Sequence, residues 1–156
     1  MRAESHKPVQ VALIAVVVVG LAIQAFVHFH LAGSFPLNKT STLSEEDLFN
    51  AEAVAAVIAA LALIFRPRRY TAGFAFLVAA AGTAAVVVYR YVNVGKIGPI
   101  PNMYDPYWAP FEKNLSVIAE AIAAVAAFAL FVLLHQQSRS ESTTRQATSS
   151  PSVSTV

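Results

Sequence analysis

The chain has no cysteine. Disulfide exchange, thiolate catalysis and cysteine-ligated metal are therefore excluded together. Charge is nearly as scarce: Asp, Glu, Lys and Arg supply 13% of the 156 residues, against about 25% in a soluble domain. The formal net charge is only +2. Its basic residues stand at the edges of apolar runs and form no basic patch, so a nucleic-acid partner is not expected. No stretch matches a catalytic signature, and the reading leans away from an enzyme.

Apolar residues are what the sequence has in excess, at 56% of the chain. A soluble fold of this size buries only about two-thirds of the surface its unfolded chain exposes, which leaves too much apolar surface in water. Lipid can cover it. One compact domain is expected.

No Asp, Glu, Lys or Arg occurs between Lys7 and Lys39. The run is long enough to span a hydrocarbon core of ~30 Å at ~1.5 Å per residue. It exceeds the roughly 7–15 apolar residues of a signal peptide and lacks a clean small-x-small cleavage site, so it reads as an uncleaved first helix over about 9–31. A second helix is expected over about 45–65, opened by the capping-box pattern Ser44-Glu45-Glu46-Asp47 and stopped by Arg66-Pro67-Arg68-Arg69. A third is expected over about 70–91 and a fourth over about 111–134. The fold class is thus all-α, an antiparallel bundle of four transmembrane helices occupying 1–135. The remainder, 136–156, is rich in Ser, Thr and Gln and is expected to be a disordered cytoplasmic tail.

Orientation follows from the basic residues flanking the spans. Seven of them (Arg2, Lys7, Arg66, Arg68, Arg69, Arg139 and Arg145) fall on one side and four (Lys39, Arg90, Lys96 and Lys113) on the other. The first side, with both termini, is expected to be cytoplasmic in a plasma membrane. Small residues recur every fourth position at Ala51, Ala55 and Ala59, at Ala75 and Ala79, and at Ala119, Ala123 and Ala127. Such spacing lets helix backbones approach closely in lipid.

Polar groups inside lipid are costly and are the first functional suspects. Alternating helix direction brings one set of them toward the external side: Gln24, His28 and His30, Glu52, Tyr89 to Tyr91, and Asn114, Ser116 and Glu120. Gln24 and His28, four residues apart, share a helical face. Glu52 or Glu120 is expected to pair with Arg90, with His28 and Gln24 completing a hydrogen-bonded network. One reading makes this cluster structural, a network that fixes helix register. The other makes it a site for a metal ion, a proton-relay carboxylate, or a quinone or lipid head group. His28, Glu52 and Glu120 would be the metal ligands, if any. His28 and His30 point about 200° apart on a helix and bind one ion only where the helix unwinds, near Gly33 and Pro36. Haem fits less well, since His6 and His135 fall at the cytoplasmic side. No cofactor is expected.

The stretch from Val94 to Phe111 holds four prolines and the aromatics Tyr104, Tyr107, Trp108 and Phe111. It is expected to fold over the bundle mouth as an interfacial anchor, a lid, or a docking surface for a partner.

The HFHLA end of the first helix, LFNAEAVAA, YRYVNVG and PIPNMYDPYWAPFEKNLSVIAEA together resemble small four-helix integral membrane proteins of actinobacterial type. The Ala- and Val-rich, Arg-over-Lys composition fits a high-GC bacterium. The resemblance runs from about His28 through Glu120 and implies no activity. Likeness to other small four-helix families, such as DoxX-like proteins, rests on topology alone. From sequence, the leading role is a non-enzymatic accessory or scaffold protein of the lipid bilayer, with a membrane-protein partner or a second copy of itself. The rival is a ligand-binding or redox protein that uses the polar cluster. A transporter lacks a polar route through the apolar cytoplasmic half.

Overall fold

The computed structural model describes residues 7–34, 38–108 and 111–149. Expectations for Arg2, His6, Pro36 and the last residues of the tail lie outside the described residues. Four helices follow one another: α1 (Lys7–Ala32), α2 (Glu45–Phe65), α3 (Arg69–Tyr91) and α4 (Phe111–Ser149). The chain is all-α, and all four helices are long and apolar enough to cross a membrane.

Local chemistry sets the helix ends. The expected capping box opens α2: Asp47 N–H donates to Ser44 Oγ at 3.0 Å, and Ser44 N–H donates to the Asp47 carboxylate at 2.9 Å. α2 stops at Phe65, because Pro67 cannot continue a helix and disfavours helical backbone at Arg66. Thr71 then ties the turn to α3, its hydroxyl accepting from Arg68 N–H at 3.0 Å and donating to Arg66 O at 2.7 Å.

The fourth helix does not stop at 134. It continues to Ser149 across most of the segment expected to be disordered. No Gly or Pro interrupts it there. Its serine hydroxyls also donate back to helix carbonyls: Ser138 to His135 O, Ser140 to Gln136 O and Ser142 to Ser138 O.

α1 packs against α2 and α4, and α3 packs against α4 and, less closely, against α2. Contacts climb one helix as they descend its neighbour: Gln24 meets Glu52 and His28 meets Phe49, while Gly73 lies by Phe131 and Gly82 by Glu120. The core is built of small side chains. Ala75 and Ala79, and Ala119, Ala123 and Ala127, are buried as expected. The α2 stripe differs: Ala51 is exposed and Ala55 half-buried, while Ala53, Ala56, Ala60 and Leu63 join Ala59 in the interior. Every-fourth-residue spacing drifts round a helix of 3.6 residues per turn, so the mixed three- and four-residue steps from 53 to 63 hold the inward face better.

Gly20 allows the closest approach. A Cβ there would lie 2.7 Å from the Ala123 Cβ and 2.9 Å from the Ala119 carbonyl oxygen. Outward faces are as apolar as the interior: Val125 is 72% exposed, Phe26 66% and Leu77 64%. Water would oppose that arrangement, and hydrocarbon would not.

The 38–44 and 92–108 segments lie at one end, here termed the loop end, opposite the Arg66–Arg68 turn. They are stitched together: Asn38 Nδ2 donates to Asn102 O at 2.9 Å and to the Glu45 carboxylate, and Thr40 Oγ1 donates to Pro99 O at 2.8 Å. Gly98, with φ of +55°, makes the turn that pairs Ile97 with Ile100.

Candidate functional site

Among the described residues, the buried polar side chains are Gln24, His28, Glu45, Ser116 and Glu120, and all belong to the loop half of their helices. Gln24 is fully buried and donates its Nε2–H to Glu52 Oε1 at 2.7 Å, which joins α1 to α2. His28 Nδ1 lies 2.9 Å from the Gln24 carbonyl oxygen. A carbonyl only accepts, so Nδ1 carries the hydrogen of that bond. The same nitrogen is 3.8 Å from Glu120 Oε1. Ser116 donates to Glu120 Oε1 at 2.6 Å from one turn earlier on α4.

Glu120 is fully buried, and its Oε2 has no hydrogen-bond partner among the described residues; neither has Gln24 Oε1. Gly82 makes the space for both side chains. A Cβ at 82 would sit 2.7 Å from Glu120 Oε2 and 2.8 Å from Gln24 Nε2. α3 thus contributes bare backbone, and no charge, at the centre of the cluster.

Arg90 does not join it. It makes no ion pair with Glu52 or Glu120 among the described residues. Its guanidinium carbon lies instead 5.2 Å from the Tyr91 ring centroid and 5.4 Å from that of Trp108. The reason is helical geometry: Arg90 is eight residues beyond Gly82, about 12 Å along the axis and about 80° round it. Its stem ends between two aromatic rings, where a guanidinium stacks well. His30 is also outside the cluster, exposed and stacked on Phe26 at 5.9 Å. It points away from His28, as the helical angle requires. Asn114 Nδ2 donates to Trp108 O at 2.8 Å and anchors the loop.

No group of three His, Asp or Glu side chains is placed to hold a metal ion among the described residues. His28 Nδ1 faces its own helix, Glu52 the Gln24 amide, and Glu120 the Ser116 hydroxyl. The expected trio of His28, Glu52 and Glu120 therefore shares a neighbourhood without converging on one point.

What lies beside the cluster is a cavity of about 400 Å³. Its floor includes His28, Glu52, Gly82 and Ser116, and its walls Leu31, Leu48, Phe49, Ala85, Val86 and Tyr89. The folded 92–108 segment roofs it with Ile100, Met103 and Asp105. That roof is pinned from two sides: Asp105 N–H donates to Tyr89 O at 3.1 Å, and Lys113 Nζ bonds the Asp105 carboxylate at 2.6 Å. Ala51 of α2 and Ala85 of α3 both line the cavity and both are exposed, so it reaches the outside along the α2–α3 seam.

Sequence reasoning found Gln24, His28, Glu52, Ser116 and Glu120. It missed Gly82, Phe49 and the Asp105–Lys113 pair. A glycine within an apolar helix, seven to nine residues before a Tyr-Arg-Tyr end, was the available signal for Gly82. No family model, curated protein or solved structure matches the chain.

Proposed function

We propose that the chain is a multi-pass plasma-membrane protein that binds an amphipathic small molecule, drawn from the lipid phase, in the loop-end cavity. In this reading the helices form an antiparallel four-helix bundle with both termini cytoplasmic and the cavity toward the external leaflet. The role is binding and not catalysis. One observation carries it: a cavity of about 400 Å³ with apolar walls over a hydrogen-bonding floor. Small-molecule sites have this character, mostly apolar with a few convergent polar groups and about 300–1,000 Å³ in volume. The accessory or scaffold role has no feature as definite in its favour, and neither does an oligomer.

The experiment is extraction of the protein in mild detergent, followed by mass spectrometry of the apolar molecules that travel with it. Ala51→Trp and Ala85→Trp fill the cavity from its exposed rim. A bound molecule present at near-stoichiometric level in the parent and lost from both folded variants supports the reading. Equal content in all three proteins refutes it. Sidedness is tested separately, since the chain has no cysteine: Ser41→Cys is expected to react with an impermeant maleimide added to intact cells, and Gln137→Cys only after lysis.

A further inference from the structure

Three carboxyl groups line the cavity, Glu45, Glu52 and Asp105, against a single ammonium, Lys113. Lys113 is already engaged. Its Nζ lies 2.6 Å from Asp105 Oδ2 and 3.0 Å from Tyr107 O. Neither Glu45 nor Glu52 forms an ion pair among the described residues, although Lys113 stands near enough to Glu45 to interact with it; Glu45 accepts from Asn38, and Glu52 accepts from Gln24. Arg90, expected from sequence to pair with Glu52 or Glu120, stacks instead on the Tyr91 and Trp108 rings. Beneath the floor, Glu120 Oε2 is buried with no donor among the described residues and lies against Gly82, itself part of that floor.

Carboxyl groups held in an apolar cavity favour an occupant that brings positive charge and N–H donors. From this, and resting on the binding role above, we infer that the cavity takes the primary ammonium of a long-chain amphiphile. The head lies by Glu52 and Ser116, with Glu45 about two turns nearer the loops, and the chain leaves along the α2–α3 seam between Ala51 and Ala85. The apolar walls suit the first methylenes. An exposed seam lets the rest of the tail stay in hydrocarbon, so the cavity need hold only the head and its first carbons. An anionic head would meet repulsion from Glu52, which no cation offsets, and a neutral hydroxyl would supply one donor and no charge.

Two sources offer the same chemistry, a free alkylamine and an ethanolamine phospholipid. The test uses the full chain in phosphatidylcholine nanodiscs and four probes of equal chain length: tetradecylamine, tetradecanol, tetradecyltrimethylammonium and a ditetradecanoyl ethanolamine phospholipid. Tetradecylamine or the ethanolamine lipid is expected to bind about ten- to a hundredfold more tightly than the alcohol, the scale of a charge-assisted hydrogen bond. Whichever of the two binds identifies the source. Glu52→Gln, which keeps an acceptor for the Gln24 amide, is expected to remove most of that preference. Glu45→Gln, at the rim, gives a second reading of the same effect if the first variant does not fold.

Equal binding of amine and alcohol, or a preference untouched by both substitutions, overturns the ammonium assignment while the binding role stands. Equal binding of amine and trimethylammonium overturns the N–H part, leaving charge alone. If no probe binds and Ala85→Trp alters nothing, the binding role itself fails.

Discussion

The closeness of α1 and α4 at Gly20 sets up a paired measurement. An added Cβ at Gly20 would lie 2.7 Å from the Ala123 Cβ and 2.9 Å from the Ala119 carbonyl oxygen, whereas one at Gly73 would meet only the edge of the Phe131 ring at 3.5 Å. Ordinary contact begins near 3.4 Å, so Gly20→Ala requires α1 and α4 to part by about 0.7 Å. Neither obstacle can yield alone: one is a side chain with no rotamer, and the other is helix backbone. Replacing Gly by Ala inside a helix contributes about 1 kcal/mol of stability through propensity and the unfolded state. That gain is common to both variants, so their difference isolates the collision. Overpacking of this kind costs about 1–3 kcal/mol. Gly73→Ala is therefore expected to be more stable than the parent by up to about 1 kcal/mol, and Gly20→Ala less stable than Gly73→Ala by about 1–3 kcal/mol. The assay is unfolding in mixed micelles as the denaturing detergent is raised, followed by circular dichroism and by Trp108 fluorescence. Equal stability of the two variants would mean that α1 and α4 do not meet at Gly20.

Three further outcomes follow from the same geometry. Arg90→Ala is expected to cost about 0.5–1 kcal/mol, the scale of an exposed cation–π contact, and to shift Trp108 emission; a loss of about 3–5 kcal/mol in the same titration would restore the ion pair expected from sequence. Ser116→Ala takes from the buried Glu120 its close hydroxyl donor and is expected to cost about 0.5–2 kcal/mol, most of it recovered in Ser116→Ala/Glu120→Leu; additive losses in that double-mutant cycle would uncouple the two residues. Lys113→Met breaks a partly exposed pair with Asp105, so global stability is expected to fall by no more than about 1 kcal/mol while hydrogen exchange across 99–108 quickens; unchanged exchange there would show that Lys113 does not hold the roof.

The helices were legible because their signals are local. Ser44 and Asp47 cap α2 through side chains three residues apart, and Pro67 ends it by lacking an N–H. The depth of Gln24, Glu52, Ser116 and Glu120 was legible for a similar reason: rise per residue fixes height once a span is placed. What failed was the angle. Arg90 was matched to the carboxylates by charge and approximate depth, but its azimuth and the stacking surface of Trp108 come from a folded loop that no periodicity describes. Gly82 carries no side chain to draw notice, yet it is the residue that admits Glu120 and Gln24 to one place. The far end of α4 misled in the opposite direction. Polar composition removes the drive to bury, but it does not break a helix when no Gly or Pro intervenes.

The distribution of polar groups along the helices favours a cavity that holds its occupant over one that passes it on. Beneath Gln24 and Gly82, toward the Arg66–Arg68 turn, the interior is filled by Val17, Leu21, Leu63, Ala75, Ala79 and Leu130, each fully buried. No buried polar side chain occurs in that half among the described residues. A charged or strongly hydrated molecule moving past the floor would shed its hydration with nothing to replace it, at a cost of several kcal/mol or more. Alanine and leucine packed at this closeness leave no second arrangement to open a path without separating the helices. At the other end Phe49, Glu52 and Tyr89 line a cavity open at the α2–α3 seam. Traffic between that cavity and the surrounding lipid needs no polar route across the bilayer, only the exposed alanines at positions 51 and 85. In the proposed binding role, the apolar half is the base that holds Gln24, His28 and Glu120 in place, and the loop half is where the occupant would exchange with lipid.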